Sequence, residues 1–407
     1  MSHTYSATTN PPRQDTGNRS DSEFPAGLGT VTVLVITALA VLSQLYAAIP
    51  LLTPVGEALS GSATFALSTG YGLCYAVGFL LWGPVADRYG HRRVMLIGLC
   101  LLVFTTLACG FATSLPALAL ARGAQGFVAA SFPPVALAYL SEAVTPRHRA
   151  TAIGAMSTAF LVAGITGQIG AQAITQQFGW PWVFLGSTCL LTICALAVAW
   201  LTREHHHTRV AGGPGEQFLT IARLLVRSDV LCLCGAHLTL LLSFVAMYTG
   251  LSLHLTGSGH DPGVLFLIRL AGLPGMFAAL AAGPLGGDAG LARAGFLIAA
   301  AGLITEALAS GSLLGLGATS LLFVIGIALA VPAMINLFGQ AATPRRGSGM
   351  AVNGFILFIG ASLGPLLATA GLGFPILLLI LAMLLGTAAA LVTFSAHMVS
   401  RKNEVVA

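Results

Sequence analysis

The sequence predicts an all-α membrane protein of twelve transmembrane helices in two pseudo-symmetric six-helix halves. Three observations point there. Only 8% of the 407 residues are charged and 56% are hydrophobic, whereas a soluble domain carries about 25% charged residues, and the mean hydropathy is +0.89. The apolar residues run continuously over about 20 positions instead of alternating, which suits spanning helices and argues against a transmembrane β-barrel. Two loop sequences of the first half return in the second at nearly constant offset. So few charges could not cover a soluble globule, and the same composition excludes intrinsic disorder away from the ends.

Residues 1–27 are polar and have no apolar core of a signal peptide, so a disordered tail is expected there. Twelve apolar segments follow, at about 29–54, 63–84, 94–112, 115–140, 150–175, 180–202, 226–254, 263–285, 292–311, 315–340, 349–371 and 373–395. They divide the chain into a half at 28–202, a central loop at 203–222, a half at 223–396 and a tail at 397–407. The central break contains His205, His206 and His207, which read as a solvated linker because no spaced ligands accompany them. The seven cysteines all fall in apolar segments and read as packing residues, with no disulfide or metal framework implied. No cofactor or metal is expected.

Of the 18 Lys and Arg residues, 16 fall on one side if both termini are cytoplasmic; the other two, Arg122 and Arg269, lie inside spans. No external loop keeps a basic residue, so the positive-inside bias predicts cytoplasmic termini.

Residues 83–93 read GPVADRYGHRR and residues 283–293 read GPLGGDAGLAR, an offset of 200; TPRHR at 145–149 is echoed by TPRR at 343–346, an offset of 198. Parallel halves of this kind place a substrate site between them near mid-membrane and suit a rocking, alternating-access carrier. The first of these stretches resembles the loop motif of the major facilitator superfamily, G-x-x-x-D-R-x-G-R-R, and the resemblance extends over the chain in its twelve spans and long central loop. It implies a gate on the cytoplasmic side built from Gly83, Asp87, Arg88, Gly90, His91, Arg92 and Arg93, with Asp87 facing the start of the eleventh span. Gly83 and Gly90 permit a tight turn, and Asp87 suits the positive end of a neighbouring helix. His91 stands where the motif commonly has Arg, and Glu142 matches the acid that pairs there; a His91–Glu142 pair would tighten as His91 takes up a proton. In the second copy Gly287 and Asp288 replace Asp87 and Arg88, so the latch is expected to be asymmetric.

Leu120 to Gly126 reads LARGAQG and resembles the R-x-x-Q-G pattern of bacterial twelve-span drug:proton antiporters, which implies a part in proton coupling for Arg122. A structural Arg holding helix carbonyls is the other reading of a charge at that depth. Gly164 to Gly170, with Gln168, resembles the antiporter motif of the fifth span loosely, as does Gly364-Pro365 in the second half. Glu306, Arg269 and His237 are further candidates for proton coupling: Glu306 and Arg269 lie at matched depth on adjacent spans and are expected to pair. Gln44, Tyr46, Gln125, Gln168, Tyr248, Asn336 and Asn353 are candidates for the substrate cavity, where aromatic and amide groups suit amphipathic ligands. Paired carboxylates, HExxH, GxSxG and a lysine-bearing P-loop are absent from the sequence, so no enzyme is indicated. The expectation is a proton-driven exporter of small amphipathic molecules such as drugs or metabolites. Its partners would be that substrate, protons and the lipid bilayer, without nucleic acid, as a monomer in a bacterial inner membrane. An uptake symporter or facilitator for a metabolite is the alternative, because the fold serves both directions.

Overall fold

The computed structural model describes residues 27–203, 214–281, 288–343 and 346–406. The N-terminal tail, the His205–His207 tract and the side chains of Asp87 and Glu142 lie outside that description. Every regular element among the described residues is helical.

The first apolar segment is two helices, α1 (Leu28–Tyr46) and α2 (Ala48–Ala58), broken at Ala47. Pro50 explains the break: it has no N–H, and its ring crowds the carbonyl four residues back, at Tyr46. The second segment opens with a π turn, Phe65–Thr69, and continues as α3 (Gly70–Tyr89). Gly90 follows at φ 98°, a conformation that favours glycine, and turns the chain into α4 (His91–Gly110). The fourth segment is also divided, into α5 (Leu115–Ala129) and α6 (Pro133–Ala143), with Pro133 and Pro134 starting the second piece. Then come α7 (Pro146–Phe178) and α8 (Pro181–Leu201).

The central polar break contains a helix that hydropathy did not indicate, α9 (Pro214–Val226), with Ile221 and Leu224 buried. The seventh segment is α10 (Ser228–Gly257). The eighth is α11 (Pro262–Gly272), which tightens into a 3₁₀ stretch at Leu273–Ala281 around Pro274. The last four are α12 (Asp288–Leu308), α13 (Leu313–Ala341), α14 (Arg346–Ala368) and α15 (Phe374–Val406). Among the described residues, nine helices are long and apolar enough to cross a membrane; the remaining three of the twelve expected segments correspond to α5–α6, α7 and α11 with its 3₁₀ tail.

The repeat is one of packing as well as sequence. In the first half, α1 packs on α7 and α8, α3 on α5, and α4 on α5 and α8. In the second half, α10 packs on α14 and α15, α11 on α13, and α12 on α13 and α15. The halves meet along two related seams, α3 against α14 and α7 against α11 with its 3₁₀ tail. Large apolar side chains such as Phe104, Ile193, Leu314 and Met383 lie exposed on the outside, while Arg122, Arg269 and Glu306 are at most 1% exposed. An apolar exterior over a partly polar interior is the pattern of a bundle solvated by lipid.

Twelve crossings bring both ends of the chain to one face, here called the terminal face; the other is the far face. On the terminal face Arg92 ties α4 to α8, its Nε donating to Thr202 O at 2.8 Å and its Nη2 to Ala199 O at 2.9 Å. Arg227 does the same for α13 through Ala341 O at 2.7 Å, while pairing with Asp229 at 2.6 Å. Cations at helix C-termini complement the carbonyl ends of those helices.

Candidate functional site

The two copies of the loop motif differ in backbone as well as sequence. Gly90 takes the positive φ of the first copy. Its counterpart Gly290 lies inside the first turns of α12. His91 is buried, Arg92 is committed to the end of α8, and Arg88 and Arg93 are exposed, with Arg88 over the Tyr89 ring at 5.5 Å. A Cβ on Gly83 would meet nothing within 4 Å. In the second copy Asp288 accepts from Asn336 Nδ2 at 3.0 Å and Gln340 Nε2 at 2.6 Å. The amide of Asn336 is therefore occupied at the terminal end of α13, away from the central side chains with which it was grouped from sequence.

The first half has a polar core on four segments. Arg122 of α5 sends Nε and Nη2 to Leu67 O at 3.0 and 2.8 Å, Nη2 also to Gln44 O at 3.1 Å, and Nη1 to Gln125 Oε1 at 2.6 Å. Its guanidinium lies 4.1 Å from the centre of the Tyr71 ring. The acceptor Leu67 lies in the π turn, whose geometry withdraws carbonyls from the regular helical ladder. Gln125 Nε2 reaches Thr106 Oγ1 at 2.8 Å and Gln44 Oε1 at 3.4 Å. Arg122, Gln44 and Gln125 thus form one interlocked group, and the hydrogen bonds of Arg122 go to carbonyl oxygens. Gln168 is separate: its Nε2 donates to Gly164 O at 2.6 Å, one turn back in α7.

The second half has a polar core in the equivalent place with unlike chemistry. An offset of 200 relates Thr106 to Glu306 and an offset of 198 relates Arg122 to Ser320. Glu306 on α12 is fully buried, and neither carboxyl oxygen has a hydrogen-bond partner in the protein. Arg269 on α11 is fully buried too; its Nη1 donates across the seam to Gln172 Oε1 of α7, while Nε and Nη2 have no partner. The expected Glu306–Arg269 ion pair is not formed: among the described residues the salt bridge present is Arg227–Asp229. Matched depth put the two at one level, but Arg269 turns toward the other half. Tyr248 of α10 lies within electrostatic reach of both, its hydroxyl 3.3 Å from Ser320 Oγ. His237 lies elsewhere on α10, its ring 5.3 Å from that of Phe338 and its imidazole beside the Asn353 amide of α14. Gln172, Thr106 and Ser320 were missed in the sequence; the repeat offsets were the signal for the last two.

Aromatic rings join the halves between these cores. Tyr46 meets Phe244 edge to face at 5.7 Å, and Tyr75 lies 4.1 Å from Phe358. Thr69 Oγ1 donates to Ser362 O at 3.1 Å, and a Cβ on Gly72 would lie 3.3 Å from Ser362 Cα. A shallow hollow of about 280 Å³ opens on the far face above them, lined in part by Thr53, Glu57, Thr64, Leu253 and Thr369.

Two repeated helical halves, meeting along glycine and aromatic seams and each holding a buried polar core, make the paired-repeat architecture on which many membrane carriers are built. The chain belongs to the Major Facilitator Superfamily, whose family model matches residues 33–365. Inner membrane transport protein YnfM of Escherichia coli K12 is 29% identical over 265 residues, covering 64% of this chain and 61% of its own. Multidrug resistance protein Stp of Mycobacterium tuberculosis is 36% identical over 131 residues, 30% of this chain and 24% of its own. Multidrug export protein EmrB of Haemophilus influenzae is 30% identical over 173 residues, 40% of this chain and 34% of its own. The chain thus matches less than two thirds of the length of each.

Proposed function

We propose that the protein exports small amphipathic organic molecules, such as drugs or metabolites, in exchange for protons. The halves 28–202 and 223–396 rock about their seams to expose the centre to one face at a time. The observation that carries the substrate class is the aromatic contact between halves, Tyr46 on Phe244 and Tyr75 on Phe358, at the depth where a carrier's site is expected. Rings supply broad, adaptable apolar contact, and Tyr46 and Tyr248 add hydroxyl groups for the polar end of a ligand. The two buried arginines lie in different halves and are directed to carbonyl and amide oxygens, which leaves no basic pair suited to a phosphate. Similarity to relatives named for multidrug resistance and export supports the outward direction.

The terminal face is the cytoplasmic one in this reading, because the basic residues gather there, and the membrane is a bacterial inner membrane. The loop at Gly83–Arg93 is its gate in this reading. The protein works as a monomer.

The test uses inverted vesicles from cells overproducing the protein, with an imposed ΔpH and a panel of lipophilic cations, antibiotics and neutral metabolites. Compound-induced proton release, absent from vesicles lacking the protein, is the expected result. No response across the panel, with folded protein and a working control exporter, would turn the assignment to uptake or facilitated diffusion, and counterflow of sugars and organic acids would follow.

A further inference from the structure

We infer that Glu306 is the group that carries the exchanged proton, and that Arg269 couples it to movement of the halves by alternating between Gln172 of the first half and Glu306 of its own. The inference rests on the reading of proton exchange above.

Three features meet here. Glu306 is buried with both oxygens unpartnered, so it keeps its acceptors for a proton or a cation. Arg269 is buried with two of its nitrogens unpartnered and its remaining contact reaching across the seam. Tyr248 lies within reach of both and is backed by Ser320. The corresponding core in the first half has no such freedom, because Arg122 is held by Leu67, Gln44 and Gln125. The asymmetry assigns the moving charge to the second half.

The surroundings of Glu306 leave few competitors. The titratable group facing it is Tyr248 from α10, which also faces Arg269 of α11 and so stands between the two. The helices packed along α12 are α13 and α15; α13 has no charged residue, and α15 has none before His397, near its terminal end. The other acids of this half are engaged elsewhere: Asp229 by Arg227 and Asp288 by Asn336 and Gln340 at the terminal face, and Asp261 by the Gly263 N–H at the far face.

Opening the far face separates α7 from α11, which breaks the Arg269–Gln172 contact. A guanidinium left bare in the interior is strongly unfavourable, and the carboxylate of Glu306 is the acceptor its own half offers. A proton arriving from the far side forms an O–H bond on Glu306 and dissolves that pair. Arg269 then returns to Gln172 and the far face closes, which is the arrangement in the structure. On the terminal side the O–H bond breaks, its electron pair stays on the carboxylate, and the proton leaves to water. The carboxylate draws Arg269 back, and the seam is ready to open with substrate aboard. Protonation therefore favours far-face closure and deprotonation favours opening, the order an exchanger requires.

The experiment places spin labels at Gln177 and His260, at the far ends of α7 and on the turn before α11, in full-length protein with native cysteines replaced. At low pH the separation should be short, and it should lengthen as the pH rises. Glu306→Gln should stay short at every pH and lose compound-driven proton release. Gln172→Leu should shift toward the long separation, and Glu306→Asp should restore a pH response, which a packing defect in the glutamine variant would not explain. A Glu306→Gln protein with the parent's pH response, or with intact proton exchange, overturns the inference. If the parent itself releases no protons with any compound, the exchange reading fails instead, whatever the label distances show.

Discussion

Replacing Arg122 by Met keeps length and apolar packing while deleting the guanidinium. The structure sets the cost. Four hydrogen bonds disappear, to Leu67 O twice, Gln44 O and Gln125 Oε1. Side-chain hydrogen bonds in membrane proteins average about 0.6 kcal/mol and reach about 1.7, which gives roughly 2–3 kcal/mol for the set. The cation over Tyr71 at 4.1 Å adds about 1 kcal/mol in a desolvated site. The sum, about 3–4 kcal/mol, is a few-hundredfold change in the folding equilibrium, since about 1.4 kcal/mol is tenfold. Arg122→Lys keeps the charge but lacks the planar fork, so it should recover about half. Reversible unfolding in mixed detergent micelles, followed by tryptophan fluorescence, measures both. Stability within about 0.5 kcal/mol of the parent in the Met variant, with transport lost, would refute the clasp and return Arg122 to proton coupling.

Two further contrasts follow from the glycines. Gly90→Ala should cost about 1–3 kcal/mol because the residue sits at φ 98° and ψ 135°, a conformation essentially reserved for glycine, whereas Gly290→Ala, inside α12 with nothing within 4 Å of a Cβ, should be neutral or stabilise by up to about 1 kcal/mol; thermal unfolding in detergent compares them. Gly126→Ala would press on the Tyr71 backbone within the first half, 2.9 Å from its carbonyl carbon, and should cost about 1–3 kcal/mol. Gly72→Ala would press on Ser362 of the other half, so it should alter transport rate and far-face accessibility while leaving the unfolding temperature nearly unchanged.

Sequence reasoning succeeded where one dimension sufficed. Apolar run length located the twelve segments, and two loop echoes were enough to predict the paired halves that the packing displays. It failed where rotation about a helix axis decides. Glu306 and Arg269 share a depth, but depth carries no information on which way a side chain points, and Arg269 points to Gln172. Asn336 looked like a cavity amide by its place in an apolar run, yet the side of α13 it occupies meets Asp288. The helix α9 was obscured because its polar opening residues continue the central break, so hydropathy read linker and helix as one. Arg122 was legible as important, and the identity of its acceptors was not, because they are backbone carbonyls of segments far away in sequence.

The π turn at Phe65–Thr69 acts as a phase shifter. Gly70 N–H donates to Phe65 O, five residues back, so the turn is one residue longer than an α turn. Each residue of an α-helix advances the side chains by about 100°. Above the turn's end, Leu67 must present its carbonyl to Arg122 inside the first half; below it, Gly72 and Tyr75 must face α14 in the other half. Deleting one residue from 65–69 would regularise the helix and rotate one set away from its partners. When this segment is aligned with relatives, a single-residue gap here marks a change of helical phase, and with it a choice between an intact half and an intact seam.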